Sequence, residues 1–196
     1  MSKMWRGPVL GVDNGAPAGT RGADISCSPR DRPGERRRTD RAPRADEPGS
    51  LPSPAMEDPF DLERFVIAQD AGGTYERALE ELRCGRKTTH WMWFVFPQVA
   101  GLGHSELSRR FAISSLEEAA AYLAHPVLGP RLIVCAQILA AVRDRSAEQI
   151  LGALDAQKLH SSMTLFRQAA PAESIFALVL ERHFGAEPDA ATDALL

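Results

Sequence analysis

Two short stretches hold the side chains best suited to chemistry. THWMWFVFPQ, Thr89 to Gln98, carries two of the chain's three tryptophans and two of its eight phenylalanines, with His90 near its front and Gln98 at its back. KLHSSMTLF, Lys158 to Phe166, sets Lys158, Ser161, Ser162 and Thr164 among the core-like Leu159, Met163 and Phe166. Trp91 or Trp93 can stack on a base or another ring. Lys158, with Arg86 or Lys87, can hold an anionic group, and His90 or a carboxylate can move a proton. A nucleotide or an ADP-ribose-like molecule offers matching parts. The candidate ligand-binding residues are therefore His90, Trp91, Trp93, Gln98, Lys158, Ser161 and Ser162. His90, Trp91, Gln98, Lys158 and Ser162 are expected to approach one another across one cleft. Leu and Ile would satisfy burial alone, and an unpaired polar group in a core costs about 1–3 kcal/mol.

Each of these groups also has a plainer role. Met92, Val95 and Phe96 read as core. Ser161 or Ser162 could cap a helix or sit as a surface hydroxyl, since adjacent serines do not favour a helix interior. The aromatic stretch could equally be a hot spot of a protein interface, with its polar edge as the rim. A concave site would favour a ligand, and a flat or convex one a partner protein. No zincin, phosphate-loop or nucleophile-elbow motif is present, so the sequence does not decide whether the protein is an enzyme. The five histidines include no pair at i+3 or i+4, so a helical metal site is not written locally, and no cofactor is expected.

These residues need a scaffold, and from residue 58 onward the pattern is helical. Phe60, Leu62, Phe65, Val66 and Ala68 give an apolar stripe over 59–70, with Asp58 as N-cap and Pro59 at the first helical position. A second helix is expected over 74–84, closed by Gly85, with Tyr75, Ala78, Leu79 and Leu82 on its apolar face. The aromatic stretch alternates partly like a strand. With helices on both sides, a buried helix capped by Thr88 or Thr89 is the better reading. Ser114 to Glu117 spells a capping box, Ser146 can cap AEQILGAL, and Gly185 closes ESIFALVLERHF. A last short helix lies in DAATDALL. The expectation is an all-α bundle of seven to nine helices.

Residues 1–55 read differently. They hold eight of fourteen prolines and seven of fifteen glycines, and carry ten Lys/Arg against seven Asp/Glu, leaving thirteen against nineteen for 56–196. Without apolar periodicity they are expected to form a disordered tail. Pattern begins so abruptly after Met56 that this methionine reads as the true start, with 1–55 an over-extended translation. An acidic body argues against nucleic acid as a partner. Three widely spaced cysteines argue against a disulfide framework or zinc site. No apolar run approaches the roughly 18–20 residues that span a bilayer. A cytoplasmic protein is the expectation.

DPFDLERFVIAQ, ALEELRCGRKTTHWMWFVFPQVAGLG, AISSLEEAAAYLAHPVLGPRL and KLHSSMTLF together resemble the bacterial domain of unknown function 1810, over about Asp58 to Leu196. The resemblance implies a compact all-α fold and brings no established activity, catalytic residue or cofactor. It supports Met56 as the start, because similar proteins begin near this point. Members are often labelled "calpastatin". A calpain inhibitor of that kind would be largely disordered and repetitive, whereas this region is compact and has no repeat. The sequence departs from the usual pattern at LGALDAQK, where relatives tend to have a Phe-Gly-Pro-type turn, although Asp155 and Lys158 still match.

Overall fold

The computed structural model describes residues 58–196. The expected tail, the reading of Met56 as the start and Cys27 lie outside the described residues. Within them the chain is all-α, as its periodicity requires. In order the helices are α1 Glu63–Asp70, α2 Thr74–Arg83, α3 Met92–Val95, α4 Glu106–Arg110, α5 Leu116–Ala124, α6 Leu128–Ala141, α7 Ala147–Leu151, α8 Ala153–Ala169, α9 Ser174–Phe184 and α10 Ala190–Asp193. Two of these, α3 and α10, are single turns. The other eight agree with the expected seven to nine.

α8 is the hub, packing against α5, α7, α9 and α10, while α6 packs against α2, α5 and α9. Its length lets one helix serve several neighbours at once. Phe65, Trp91, Phe96, Tyr122, Phe166 and Phe176 are all fully buried. Phe65 and Tyr122 meet edge to face with centroids 5.1 Å apart, an arrangement the ring quadrupoles favour. α5 and α6 approach so closely that a Cβ on Gly129 would lie 2.0 Å from the Leu123 carbonyl oxygen. Only glycine fits there.

Several helix ends differ from expectation. α1 begins at Glu63, because Asp61 takes a left-handed φ of 51° and a turn occupies 59–62. Asp58 still accepts from the Glu63 N–H at 3.0 Å. The cap of α5 is Ser115, one residue later than expected, and its oxygen accepts from the Glu118 N–H. The Glu118 carboxylate instead accepts from Ser114 and pairs with Arg64 at 2.6 Å. Ser146 forms a complete capping box with Gln149, and Gly185 ends α9 with φ 64°, both as expected. Cys135 is wholly buried, and burial pushes its thiol up to about 12.

Among the described residues no named strand forms. The strand-like alternation after His90 comes closest to one in an isolated parallel bridge, Val99 with Ile113. Ile113 N–H donates to the Gln98 carbonyl and Ala100 N–H to the Ile113 carbonyl, each at 2.8 Å. This clamp fixes the backbone of Gln98 beyond α3.

Candidate functional site

Glu81 sets the path from α2 into the aromatic stretch. Its carboxylate accepts from the Thr88 N–H and hydroxyl at 2.9 and 2.7 Å, and from those of Thr89 at 3.2 and 2.8 Å. The Trp91 indole N–H adds a fifth bond at 2.8 Å. Burial alone would raise the carboxyl pKa, but these donors outweigh it and hold it down at about 2. Thr88 and Thr89 thus bind a side chain rather than capping α3, whose N-cap residue is Trp91. Lys87 N–H donates to the Ile150 carbonyl at 2.7 Å and ties this loop to α7.

The same loop delivers an ammonium to α8. Lys87 Nζ lies 2.6 Å from Asp155 Oδ2, and Lys158 Nζ lies 2.7 Å from Asp155 Oδ1. Two cations therefore share one carboxylate, leaving one positive charge in excess. Each cation also faces an indole: Lys87 stands 5.1 Å from the Trp91 ring centroid and Lys158 stands 4.6 Å from that of Trp93. Burial pushes the Asp155 carboxyl up, but hydrogen bonds from Lys158 and Lys87 bring it below its ordinary value. Gly152, with φ 84°, makes the tight passage from α7 to α8 that places Asp155 in the first turn of α8. This is the shape of the LGALDAQK turn.

Lys158 lies on the wall of a cleft of about 610 Å³. Trp93, Gln98, Lys158 and Ser161 line it together. Three other candidates do not. His90 is exposed to solvent outside the cleft. Trp91 is completely buried, its indole N–H committed to Glu81. Ser162 is completely buried in the middle of α8, and its hydroxyl has no hydrogen-bond partner among the described residues. Consecutive residues in a helix or tight turn point in different directions, so neighbours in sequence separate into cleft, core and surface. Neither serine caps a helix, because α8 starts at Ala153.

The rest of the wall escaped sequence reasoning. His104, Ser105 and Ser108 come from the loop before α4 and from α4 itself, and Gln157 and Leu154 from α8. Leu154 is 75% exposed, an apolar residue at the cleft rim. Asp189 and Ala191 enter from the C-terminal segment. That segment is held to α8 by polar bonds. Asp189 N–H donates to Thr164 Oγ1 at 2.9 Å, and the Thr192 and Ser161 hydroxyls are hydrogen-bonded at 2.7 Å. Two of the three hydroxyls of KLHSSMTLF, those of Ser161 and Thr164, thus dock a segment roughly thirty residues away. The one available signal was Asp189 as an N-cap: Thr192 N–H donates to its Oδ2 at 2.9 Å.

The profile of the family described as "Protein of unknown function (DUF1810)" matches residues 59–196. The chain belongs to this family. The match spans the described helices, including both stretches that build the cleft. A solved structure, that of the conserved hypothetical protein Rv1873 from Mycobacterium tuberculosis, is 54% identical, with a TM-score of 0.69. The similarity covers 71% of this chain and 98% of that one. No curated protein is detectably similar to the chain. Membership of DUF1810 thus supports the helical architecture and assigns no chemistry. Among the described residues no group of His, Cys, Asp and Glu is arranged to hold a metal, and no single helix is long and apolar enough to cross a membrane.

Proposed function

We propose that the cleft between α3, the 98–108 segment, α8 and the C-terminal segment binds a small anionic, nucleotide-like molecule. One observation carries this reading: Lys87 and Lys158 share the single carboxylate of Asp155, so a surplus positive charge stands at a concave wall beside Trp93. The Lys158 ammonium donates one hydrogen to Asp155 and has further donors for an anion. The volume falls in the ordinary range for ligand sites. Trp93, Leu102 and Leu154 supply apolar walls, and Gln98 and Gln157 supply amides that orient a ligand. No residue is assigned a catalytic role.

The competing reading is a protein-interaction module using the aromatic stretch. Trp91, Met92, Val95 and Phe96 are at most 1% exposed, so they offer a partner no surface. This favours the ligand reading.

Thermal denaturation of the full chain with a panel of phosphorylated metabolites tests the proposal. A bound molecule at one hundred times its dissociation constant adds about 2.7 kcal/mol of stability. Lys158→Ala should remove that gain while leaving the unliganded midpoint nearly unchanged, because Lys87 still neutralises Asp155. An undiminished ligand response in Lys158→Ala, or no response to any anion in the native chain, refutes it.

A further inference from the structure

The cleft is not uniformly cationic, and its second charge is informative. Asp189 lines the same cleft as Lys158. Its Oδ2 accepts from the Thr192 N–H and hydroxyl, at 2.9 and 2.6 Å. Its Oδ1 accepts from no donor among the described residues. The carboxylate is also firmly placed: the Asp189 backbone N–H donates to Thr164, and the Thr192 hydroxyl that donates to Asp189 is in turn hydrogen-bonded to the Ser161 hydroxyl, 2.7 Å away. Both anchoring hydroxyls belong to α8, the helix that carries Lys158.

A site for a bare anion gains nothing from a carboxylate held in its wall, since like charges repel. A carboxylate oxygen with free lone pairs takes hydrogen-bond donors instead, and an O–H donor suits it well. Gln98, Gln157 and Ser108 add donors and acceptors for further hydroxyls, while Trp93 gives an apolar face. From this pairing we infer that the ligand is an anion bearing vicinal hydroxyls, a sugar phosphate, with its phosphate at Lys158 and its hydroxyls on Asp189 Oδ1. The inference rests on the anion-binding reading above and narrows its substrate class. The sugar phosphate is either free or the ribose phosphate of a nucleotide, and both present the same groups.

Calorimetric titration of the full chain with inorganic phosphate, ribose 5-phosphate, 2-deoxyribose 5-phosphate, AMP and dAMP tests it. A hydroxyl bonded to a carboxylate should be worth on the order of tenfold in affinity. Ribose 5-phosphate or AMP should therefore bind about tenfold more tightly than its deoxy counterpart, and more tightly than phosphate alone. Tight binding of AMP but not of ribose 5-phosphate identifies the nucleotide as the source. The reverse, or equal affinity, identifies the free sugar phosphate. Asp189→Asn keeps a side-chain oxygen for the α10 cap, at which Asn serves as well as Asp. It should abolish the preference for the hydroxyl while leaving phosphate binding equal or tighter. Equal affinity for ribose and deoxyribose forms in the native chain overturns the inference without recourse to any variant. In that case Lys158-dependent binding of all five would leave the anion-binding reading intact, whereas no binding by any of the five removes both.

Discussion

Replacing Glu81 with Gln should destabilise the full chain and change how its stability depends on acid. The native carboxylate gathers five donors from Thr88, Thr89 and Trp91. Each pKa unit between folded and unfolded states is worth about 1.36 kcal/mol. The fall from 4.5 to about 2 therefore sets a ceiling of about 3 kcal/mol. The carboxylate is partly solvated, and screening reduces its share to about 1–2 kcal/mol. The glutamine NH₂ would face donors that need an acceptor, so the substitution forfeits at least that much near neutral pH. The sign follows from linkage. A carboxyl with a depressed folded pKa contributes fully above pH 4.5, and the contribution drains away as pH falls toward 2. Urea midpoints should therefore differ between native chain and Glu81→Gln at pH 7 and converge near pH 2. Asp58 and Asp155, whose pKa values are also lowered, impose an acid slope common to both proteins. Equal midpoints at pH 7, with identical acid slopes, would show that Glu81 does not hold the loop.

Phe96→Ala should cost about 3–5 kcal/mol in urea denaturation, since the ring is completely buried. Phe94 is only partly buried and packs edge-on against Phe111, so Phe94→Ala should cost distinctly less, and equal losses would contradict the burial difference. Burial lowers the His183 pKa, opposed by its bond to the Leu139 carbonyl and assisted by Arg182. The unfolded state therefore takes up the proton first, and native stability should decline as pH falls below about 6.5. His183→Gln, which keeps an N–H for Leu139, should flatten that part of the pH profile, and an unchanged profile would assign the decline to another group.

The scaffold was legible because period and punctuation are local properties. Ser146 and Gln149 are three residues apart, and Gly185 directly follows its helix, so chemistry adjacent in sequence announced both ends. The misplaced starts of α1 and α5 have different causes. At α1 the left-handed backbone of Asp61 inserts a turn after Asp58, and at α5 Ser115 rather than Ser114 accepts from the Glu118 N–H while the Glu118 carboxylate reaches Ser114 and Arg64. The aromatic stretch exposed the limit of periodicity in a short apolar run. One helical turn between a bound loop and a bridged segment satisfies the same burial as a longer helix.

The cleft was half legible for a related reason. Polar residues without an obvious partner were sound evidence of something beyond core packing, and Trp93, Gln98, Lys158 and Ser161 do line one concavity. The error lay in assuming a single explanation for all of them. Trp91 answers to Glu81, ten residues earlier, on α2. Ser161 and Thr164 answer to Thr192 and Asp189, thirty-one and twenty-five residues later. Pairings at such separations leave no trace in local pattern, because either partner alone is unremarkable on a helix or at a cap. Yet they decide the chemistry of the site. By docking the C-terminal segment, the α8 hydroxyls bring Asp189 into the wall with Lys158, and the cleft becomes a site with one cationic and one accepting edge. Ser161 and Thr164 therefore act on the cleft chiefly at one remove, through the carboxylate they hold in place, while Ser162 takes no part.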